Sequence, residues 1–113
     1  MSTPPESMPF TARAEGLLAN LEAAVDRLAD DFDIDVLRAG NVITLAFENG
    51  HKIIANSQAA AEEIWLAARS GGFHYRWDAA HSIWVDTRSG EDLRVALSKL
   101  IEIEVGVSPT LSL

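Results

Sequence analysis

Cysteine is absent from this chain of 113 residues. Its absence excludes disulfide scaffolds, thiolate zinc sites, cysteine-ligated clusters and cysteine nucleophiles. Histidine is scarce, and His51, His74 and His81 do not have the spacing of a tight metal-ligand motif such as HxxxH. Sulfur ligands for a metal are therefore unavailable, and nitrogen ligands are few.

Long apolar runs and basic residues are also lacking. No run approaches the roughly 20 apolar residues that a membrane span requires, and the N-terminus has no basic segment followed by an apolar core. Nine Lys and Arg stand against 17 Asp and Glu, which argues against nonspecific nucleic-acid binding. We expect a soluble cytoplasmic protein that binds neither membranes nor nucleic acid.

The hydrophobic content of 48% is enough for a core, and the length is that of one domain. Residues 1–9 contain three prolines and predict a disordered lead-in. Residues 10–103 are predicted to form the domain, and residues 104–113 an irregular tail.

Acidic residues are concentrated in one segment. Between Glu15 and Asp35 lie seven carboxylates and one cation, Arg27, which gives a formal charge of −6 out of −8 for the whole chain. Like charges so close oppose folding and must be offset elsewhere. The concentration is most easily understood if the segment holds cations or meets a basic partner.

An amphipathic helix is predicted from Phe10. Its apolar stripe recurs at spacings of three and four residues: Leu17, Leu21, Val25, Leu28 and Phe32. Glu22, Asp26 and Asp30 step by four along a neighbouring flank, where such a row of acids repels by a few tenths of a kcal/mol per pair. Acids late in a helix also face the unfavourable end of its dipole.

Strands are predicted to follow the helix. Asp33 and Asp35 alternate with apolar residues, so both are expected on one face of a half-buried strand. Asn49-Gly50 is a strong hairpin signal between two further strands. The predicted later segments are strands at 42–48, 51–56, 64–66, 73–77 and 82–86, with a turn at 39–41 and a break at Gly71-Gly72. Residues 59–68 are also compatible with a helix by propensity.

A second helix is predicted near Ser89, because Ser89-Gly90-Glu91-Asp92 is similar to a capping box. The order is therefore helix, five or six strands, helix. Short turns between consecutive strands imply an antiparallel sheet. We predict an α+β two-layer sandwich in which the N- and C-terminal helices cover one face of the sheet.

Trp65 lies between Ile64 and Leu66, so its side chain is expected to point opposite to theirs. If those two residues face the helices, Trp65 faces outward and, with Asn56 and Gln58, forms a candidate partner-binding surface. The alternative is that Trp65 packs in the core and its neighbours face outward.

An enzyme is the alternative to a binding protein. Clustered acids are able to hold a two-metal catalytic centre. The sequence shows no nucleophile–base pair, phosphate loop or dinucleotide fingerprint, and nothing in it predicts a pocket around the acids. We therefore expect no enzyme.

Four stretches of the chain together resemble the frataxin family, including its bacterial branch, over residues 10–101. They are Phe47-Glu48-Asn49-Gly50 with Lys52-Ile53-Ile54; Asn56-x-Gln58 with Ile64-Trp65-Leu66-Ala67; Ser70-Gly71-Gly72-Phe73-His74-Tyr75 with Trp84-Val85-Asp86; and Arg88-Ser89-Gly90-Glu91. No single stretch is decisive, whereas the ordered set at this spacing is specific.

The resemblance implies an iron-binding protein that donates iron to, or regulates, iron–sulfur cluster assembly by docking on the cysteine desulfurase and scaffold proteins. It implies weakly bound Fe²⁺ or Fe³⁺ on the surface, a monomer with iron-dependent oligomers left open, and ferroxidase-like iron oxidation as an open question. The matching metal positions are Glu22, Asp26, Asp30, Asp31, Asp33 and Asp35. Family ridges are more continuous than this one, which Arg27, Leu28 and Ala29 interrupt.

Carboxylates are hard oxygen ligands that suit iron, Mg, Ca and Mn. A row of them exposed to water is expected to hold ions weakly, so that other divalent cations substitute. Two other interpretations of the acids remain: a solvated face that keeps the protein soluble, and an acidic interaction module that regulates the desulfurase without iron transfer.

Overall fold

The computed structural model describes residues 9–109, 111 and 113, which form a two-layer α+β sandwich. Its elements, in chain order, are α1 (Phe10–Leu28), β1 (Ile34–Ala39), β2 (Val42–Phe47), β3 (Lys52–Gln58), β4 (Glu63–Ala68), β5 (Gly71–Asp78), β6 (Ile83–Asp86) and α2 (Leu93–Val105). The six strands make one antiparallel sheet in sequential order, so β1 and β6 are its edges. The predicted fold class is confirmed.

Both helices pack on one face of the sheet, and the hydrophobic core lies between the two layers. The most deeply buried side chains come from both helices and from alternate strand positions: Leu18, Val25, Ile43, Leu45, Ile64, Tyr75, Leu97 and Ile101. Each such side chain contributes about 1.5–3 kcal/mol through burial. We call the other side of the sheet the open face.

The helix α1 ends earlier than predicted. It stops at Leu28, with Ala29 as its C-cap, so Asp30 lies in the turn that follows. The prediction that Asp30 continues the helical row of Glu22 and Asp26 is therefore wrong. Asp has a low helix propensity, and carboxylates are disfavoured at the C-terminal end of a helix, which is the negative end of its dipole. Asp30 and Asp31 lie next to each other at that end of α1.

The predicted Asn49-Gly50 hairpin is confirmed. Phe47 donates its backbone N–H to the carbonyl of His51, and Gly50 donates its own to the carbonyl of Phe47. Gly50 has φ +87°, a conformation that favours glycine. Four residues, 48–51, thus connect β2 to β3.

The break predicted at Gly71-Gly72 is wrong, because both glycines belong to β5, where they pair with Ala68 and Ala67. The turn lies two positions earlier, at Arg69 and Ser70. The helical alternative for residues 59–68 is also wrong, since Glu63–Ala68 is β4 and hydrogen-bonds strands on both sides. Pairing within the sheet outweighs the propensity of alanine for helix here.

The predicted capping box at Ser89 is wrong. The cap of α2 is Asp92, whose side chain accepts a hydrogen bond from the backbone N–H of Arg94. The Asp86 carboxylate accepts hydrogen bonds from the backbone N–H groups of Arg88 and Ser89, and Gly90 has φ +76°. These residues therefore form a loop that ends before the helix starts.

Residues 1–8, where most of the predicted lead-in falls, lie outside the described residues. The helix α2 continues to Val105, two residues beyond the predicted end of the domain. Beyond the helix, the carbonyl of Pro109 accepts a hydrogen bond from the Ser98 hydroxyl, and Leu111 packs into the core. The division into lead-in, domain and tail stays a prediction. Within the described part of the chain, no helix is long and apolar enough to cross a membrane.

Candidate metal-binding and partner-binding surfaces

The six acids predicted to bind metal follow one another along an edge of the molecule. We call them the acidic strip: Glu22, Asp26, Asp30, Asp31, Asp33 and Asp35. The strip starts on the last turns of α1, passes through the turn after it and ends on the edge strand β1. Glu22 is half-buried, and the other five are exposed.

Asp35 lies on the open-face side of the edge strand β1. It alternates with the buried Ile34, as the sequence pattern predicted. Asp33 is exposed but precedes the first residue of the strand, so the prediction that it shares a strand face with Asp35 is wrong. The strip therefore wraps around the edge of the sheet, from the helical layer to the open face.

Arg38 on β1 offsets the beginning of the strip. Its side chain is only 15% exposed, and its Nη1 lies 3.7 Å from Oε1 of Glu22. Its Nη2 donates a hydrogen bond of 2.6 Å to Oε2 of Glu15. Glu22 is thus the one member of the strip with an ion pair among the described residues. A cation at Glu22 has to compete with this guanidinium.

The remaining acids of the strip form no closed metal centre. In the part of the chain that the structure describes, no group of three or more His, Asp or Glu side chains is arranged to hold a metal ion. A cation on the strip would have one or two carboxylate ligands, with water completing the shell. Such an arrangement favours weak, rapidly exchanging binding of hard cations.

The candidate partner-binding residues lie together on the open face. Trp65 points away from the core, whereas its neighbours Ile64 and Leu66 are buried. Asn56 pairs with Trp65 across β3 and β4, and Gln58 pairs with Glu63 two residues further along the strands. The outward orientation of Trp65 agrees with the alternation of the strand, and the role of these residues in partner binding stays a prediction.

Sequence reasoning missed a polar cluster around Trp65, which we call the open-face cluster: Glu63, Trp65, His74 and Arg76. The Trp65 indole donates a hydrogen bond of 2.9 Å to Oε1 of Glu63, and Nε of Arg76 donates one of 3.1 Å to Oε2. The rings of Trp65 and His74 stack, 4.5 Å apart and 7° from parallel. The period-two alternation of each strand places these side chains on one face, but the register between β4 and β5 brings them together, and no local pattern predicts that register.

The carboxylate of Glu63 is held in its ionised form by these contacts. Glu63 is only 8% exposed. The hydrogen bond from Trp65, and then the hydrogen bond and positive charge of Arg76, lower the pKa of Glu63 below its usual value, although burial acts to raise it. An ionised carboxylate therefore sits behind the indole and the guanidinium.

Neighbouring side chains contact Trp77, Trp84, His51 and His81. Trp84 is buried, and its ring meets that of the partly buried Trp77 at 5.5 Å in the core layer. His51 lies against Glu104 at 2.9 Å, and His81 lies against Asp78 at 2.8 Å.

The fold and the acidic edge together define a class: small two-layer α+β proteins whose six-stranded antiparallel sheet is flanked by N- and C-terminal helices on one face. The sequence model of the Frataxin-like domain matches residues 4–107. The chain therefore belongs to the frataxin-like family.

Curated relatives cover nearly the whole chain. The iron-sulfur cluster assembly protein CyaY of Ralstonia nicotianae is 50% identical over 104 residues, 90% of each protein. The CyaY protein of Cupriavidus pinatubonensis is 55% identical over 94 residues, 81% of this chain and 83% of that one.

Solved structures of related proteins have the same fold. Frataxin from Psychromonas ingrahamii, of the CyaY family, superposes with a TM-score of 0.81 at 29% identity, covering 92% of this chain and 95% of that one. Trimeric frataxin from Saccharomyces cerevisiae, complexed with ferrous iron, has a TM-score of 0.73 at 24% identity, covering 94% and 89%. This second likeness shows the fold alone.

Proposed function

We propose that this protein binds iron on the acidic strip and acts in iron–sulfur cluster assembly, where it docks on the cysteine desulfurase and its scaffold protein. It donates iron to that complex, regulates it, or does both, in the bacterial cytoplasm. Membership of the frataxin-like family and the names of the relatives support the assembly role. The observation that carries iron binding is the row of five exposed acids that makes no ion pair within the described residues, from Asp26 to Asp35.

The chemistry of the strip suits iron as cargo. Carboxylate oxygens are hard ligands for Fe²⁺ and Fe³⁺, and other divalent cations compete with iron because the open strip imposes little geometry. With one or two protein ligands per ion, most of the coordination shell is water, and exchange is fast. These properties favour transfer of iron over storage, and they assign the protein no catalytic step.

A second candidate is an acidic interaction module that regulates the desulfurase without transferring iron. It is favoured by the separation of the two surfaces, since the strip occupies the β1 edge and Asn56, Gln58 and Trp65 lie on β3 and β4. Docking through the open face then needs no iron. Acids of the strip add electrostatic attraction to a basic surface, which mainly raises the association rate.

An iron titration followed by NMR tests the location. Adding Fe²⁺ without oxygen is expected to broaden the signals of residues 26–35 first. The variant D31N/D33N should weaken binding roughly fivefold, or about 1 kcal/mol, because two ligands lose their charge. Glu102→Gln removes one exposed acid from α2 and serves as the control. Broadening that begins at the three histidines would contradict the proposal.

A pull-down separates the two candidate functions. The purified desulfurase and scaffold are mixed with this protein, with and without Fe²⁺. Capture that depends on iron supports an iron donor, whereas equal capture without iron supports the interaction module. Size-exclusion chromatography of the same samples reports whether the protein stays monomeric when iron is added.

A further inference from the structure

We propose that Glu63 is a positioning residue that holds Trp65 and Arg76 in place, and that the resulting surface receives a partner segment carrying a carboxylate. The inference rests on the proposed docking on the assembly complex and names the chemistry of the contact. It depends on the open-face cluster and needs no metal.

Glu63 anchors side chains from two strands. Its carboxylate, on a side chain that is 11% exposed, accepts the indole N–H of Trp65 at 2.9 Å and Nε–H of Arg76 at 3.1 Å, one on each oxygen. Nδ1 of His74 lies 3.4 Å from the first oxygen. Because a buried carboxylate is satisfied only when its hydrogen bonds are made, these contacts fix the orientation of the side chains around it.

Arg76 presents its free end to solvent. Its side chain is 65% exposed. Among the described residues its hydrogen bond to Glu63 uses Nε alone, which leaves Nη1 and Nη2 for another molecule. The terminal nitrogens of a guanidinium match the two oxygens of a carboxylate in a bidentate pair. The geometry therefore offers a carboxylate-binding fork beside the stacked rings of Trp65 and His74.

Charge complementarity selects the partner group. The side chain of Glu63 lies behind Arg76 and is 11% exposed, so an approaching molecule meets the guanidinium first. Elsewhere the chain is strongly acidic, with a net charge of −8, and the acidic strip follows the β1 edge. A basic group is attracted to that edge, whereas an acidic group finds its complement at Arg76. Fixing Trp65 and Arg76 before binding also reduces the entropy lost on association.

Charge variants of Arg76 test the partner chemistry. The affinity for the purified desulfurase–scaffold complex is measured by calorimetry for Arg76→Gln and Arg76→Glu. A partner carboxylate predicts roughly fivefold weaker binding for Gln and a further loss for Glu, because the new charge repels it. Arg94→Gln and Arg94→Glu change charge equally on α2 and serve as matched controls. Binding of Arg76→Glu equal to or tighter than that of Arg76→Gln would overturn the proposal.

Variants of Glu63 test positioning. Three indole N–H signals are expected in NMR spectra, and Trp65→Phe identifies the one from Trp65. In Glu63→Ala this signal should move upfield and binding should weaken as in Trp65→Ala. Glu63→Gln keeps one acceptor oxygen, so the signal should stay close to its original position and binding should be partly restored. An unmoved signal and unchanged affinity in both Glu63 variants would overturn the positioning role.

Different results would contradict the proposed docking through the open face and the proposed positioning role of Glu63. If Trp65→Ala binds the complex as tightly as the unmodified protein, the proposed docking through the open face is wrong. If Trp65→Ala weakens binding while the Glu63 and Arg76 variants do not, only the present inference is wrong. Urea unfolding of every variant shows whether a loss of affinity reflects a loss of folded protein.

Discussion

Glu104, near the end of α2, joins this helix to the β2–β3 hairpin. Its side chain is 5% exposed, accepts a hydrogen bond of 2.8 Å from the side-chain amide of Asn49, and lies 2.9 Å from Nδ1 of His51. Burial raises the pKa of Glu104, but the contacts with Asn49 and His51 outweigh it and leave the pKa below its usual value. Ionised Glu104 therefore stabilises the fold.

Replacing Glu104 by Ala should lower the free energy of unfolding by about 1–3 kcal/mol, because the amide of Asn49 and the ring of His51 lose a buried partner. Urea unfolding at neutral pH measures the loss, and Glu102→Ala, at an exposed position of the same helix, should change little. Since the folded pKa is lowered, this stabilisation is complete above the unfolded pKa of about 4.3 and disappears as pH falls through the folded value. A difference between the two variants that persisted in strong acid would contradict this assignment.

Single residues also show what sequence can and cannot predict. The direction of Trp65 followed from the alternation of one strand. The bond of Glu63 to Arg76 could not be predicted, because it depends on how β4 and β5 are aligned. The pairing of Arg38 with Glu22 depends on how α1 lies across the edge strand, which no local pattern specifies.

Elements were predicted more reliably than their ends. Apolar periodicity located both helices and most strands, because burial of one face determines that pattern. Ends depend on local competition instead. Asp30 and Asp31 end α1 early, and the Asp86 carboxylate holds the following loop away from the helix.

The N-cap residue of α2, Asp92, leads to a prediction about stability. Asp92→Ala should lower the free energy of unfolding by about 1 kcal/mol, since the N–H of Arg94 loses its acceptor. Ser89→Ala, at the residue that sequence alone suggested, should cost less, because among the described residues the Ser89 hydroxyl accepts a hydrogen bond only from the backbone N–H of Glu91, in an exposed loop. Thermal unfolding of both variants measures the difference, and an equal or larger loss for Ser89→Ala would reassign the cap.

The pH dependence of the same cap has a defined sign. The hydrogen bond from Arg94, more than any other contact, lowers the pKa of Asp92, and burial opposes it. A lowered pKa means that the stabilisation is present above the unfolded value of about 3.9 and is lost as pH falls through the folded value. The unmodified protein and Asp92→Ala should therefore converge in stability in acid.

At the scale of the whole molecule, the crowded negative charge of the acidic strip lowers the stability of the fold and attracts cations. Arg38 offsets only the beginning of the acidic strip, and the five acids from Asp26 to Asp35 remain close together without an ion pair in the described part of the chain. Their mutual repulsion favours the unfolded chain, in which they are further apart on average. The same crowding attracts cations, so the cation binding that we propose lowers the stability of the cation-free protein.

Salt should therefore stabilise this protein. Raising NaCl from about 0.02 M to about 0.5 M shortens the Debye length from roughly 20 Å to roughly 4 Å and screens the strip. The melting temperature should rise by a few degrees, and millimolar Ca²⁺ or Mg²⁺ should raise it more than NaCl of equal ionic strength, because bound ions stabilise only the folded state. The variant D31N/D33N should begin with a higher melting temperature and respond less to both salts. If NaCl raised the melting temperature as much as the divalent cations did, cations would act on the strip by screening alone, without binding.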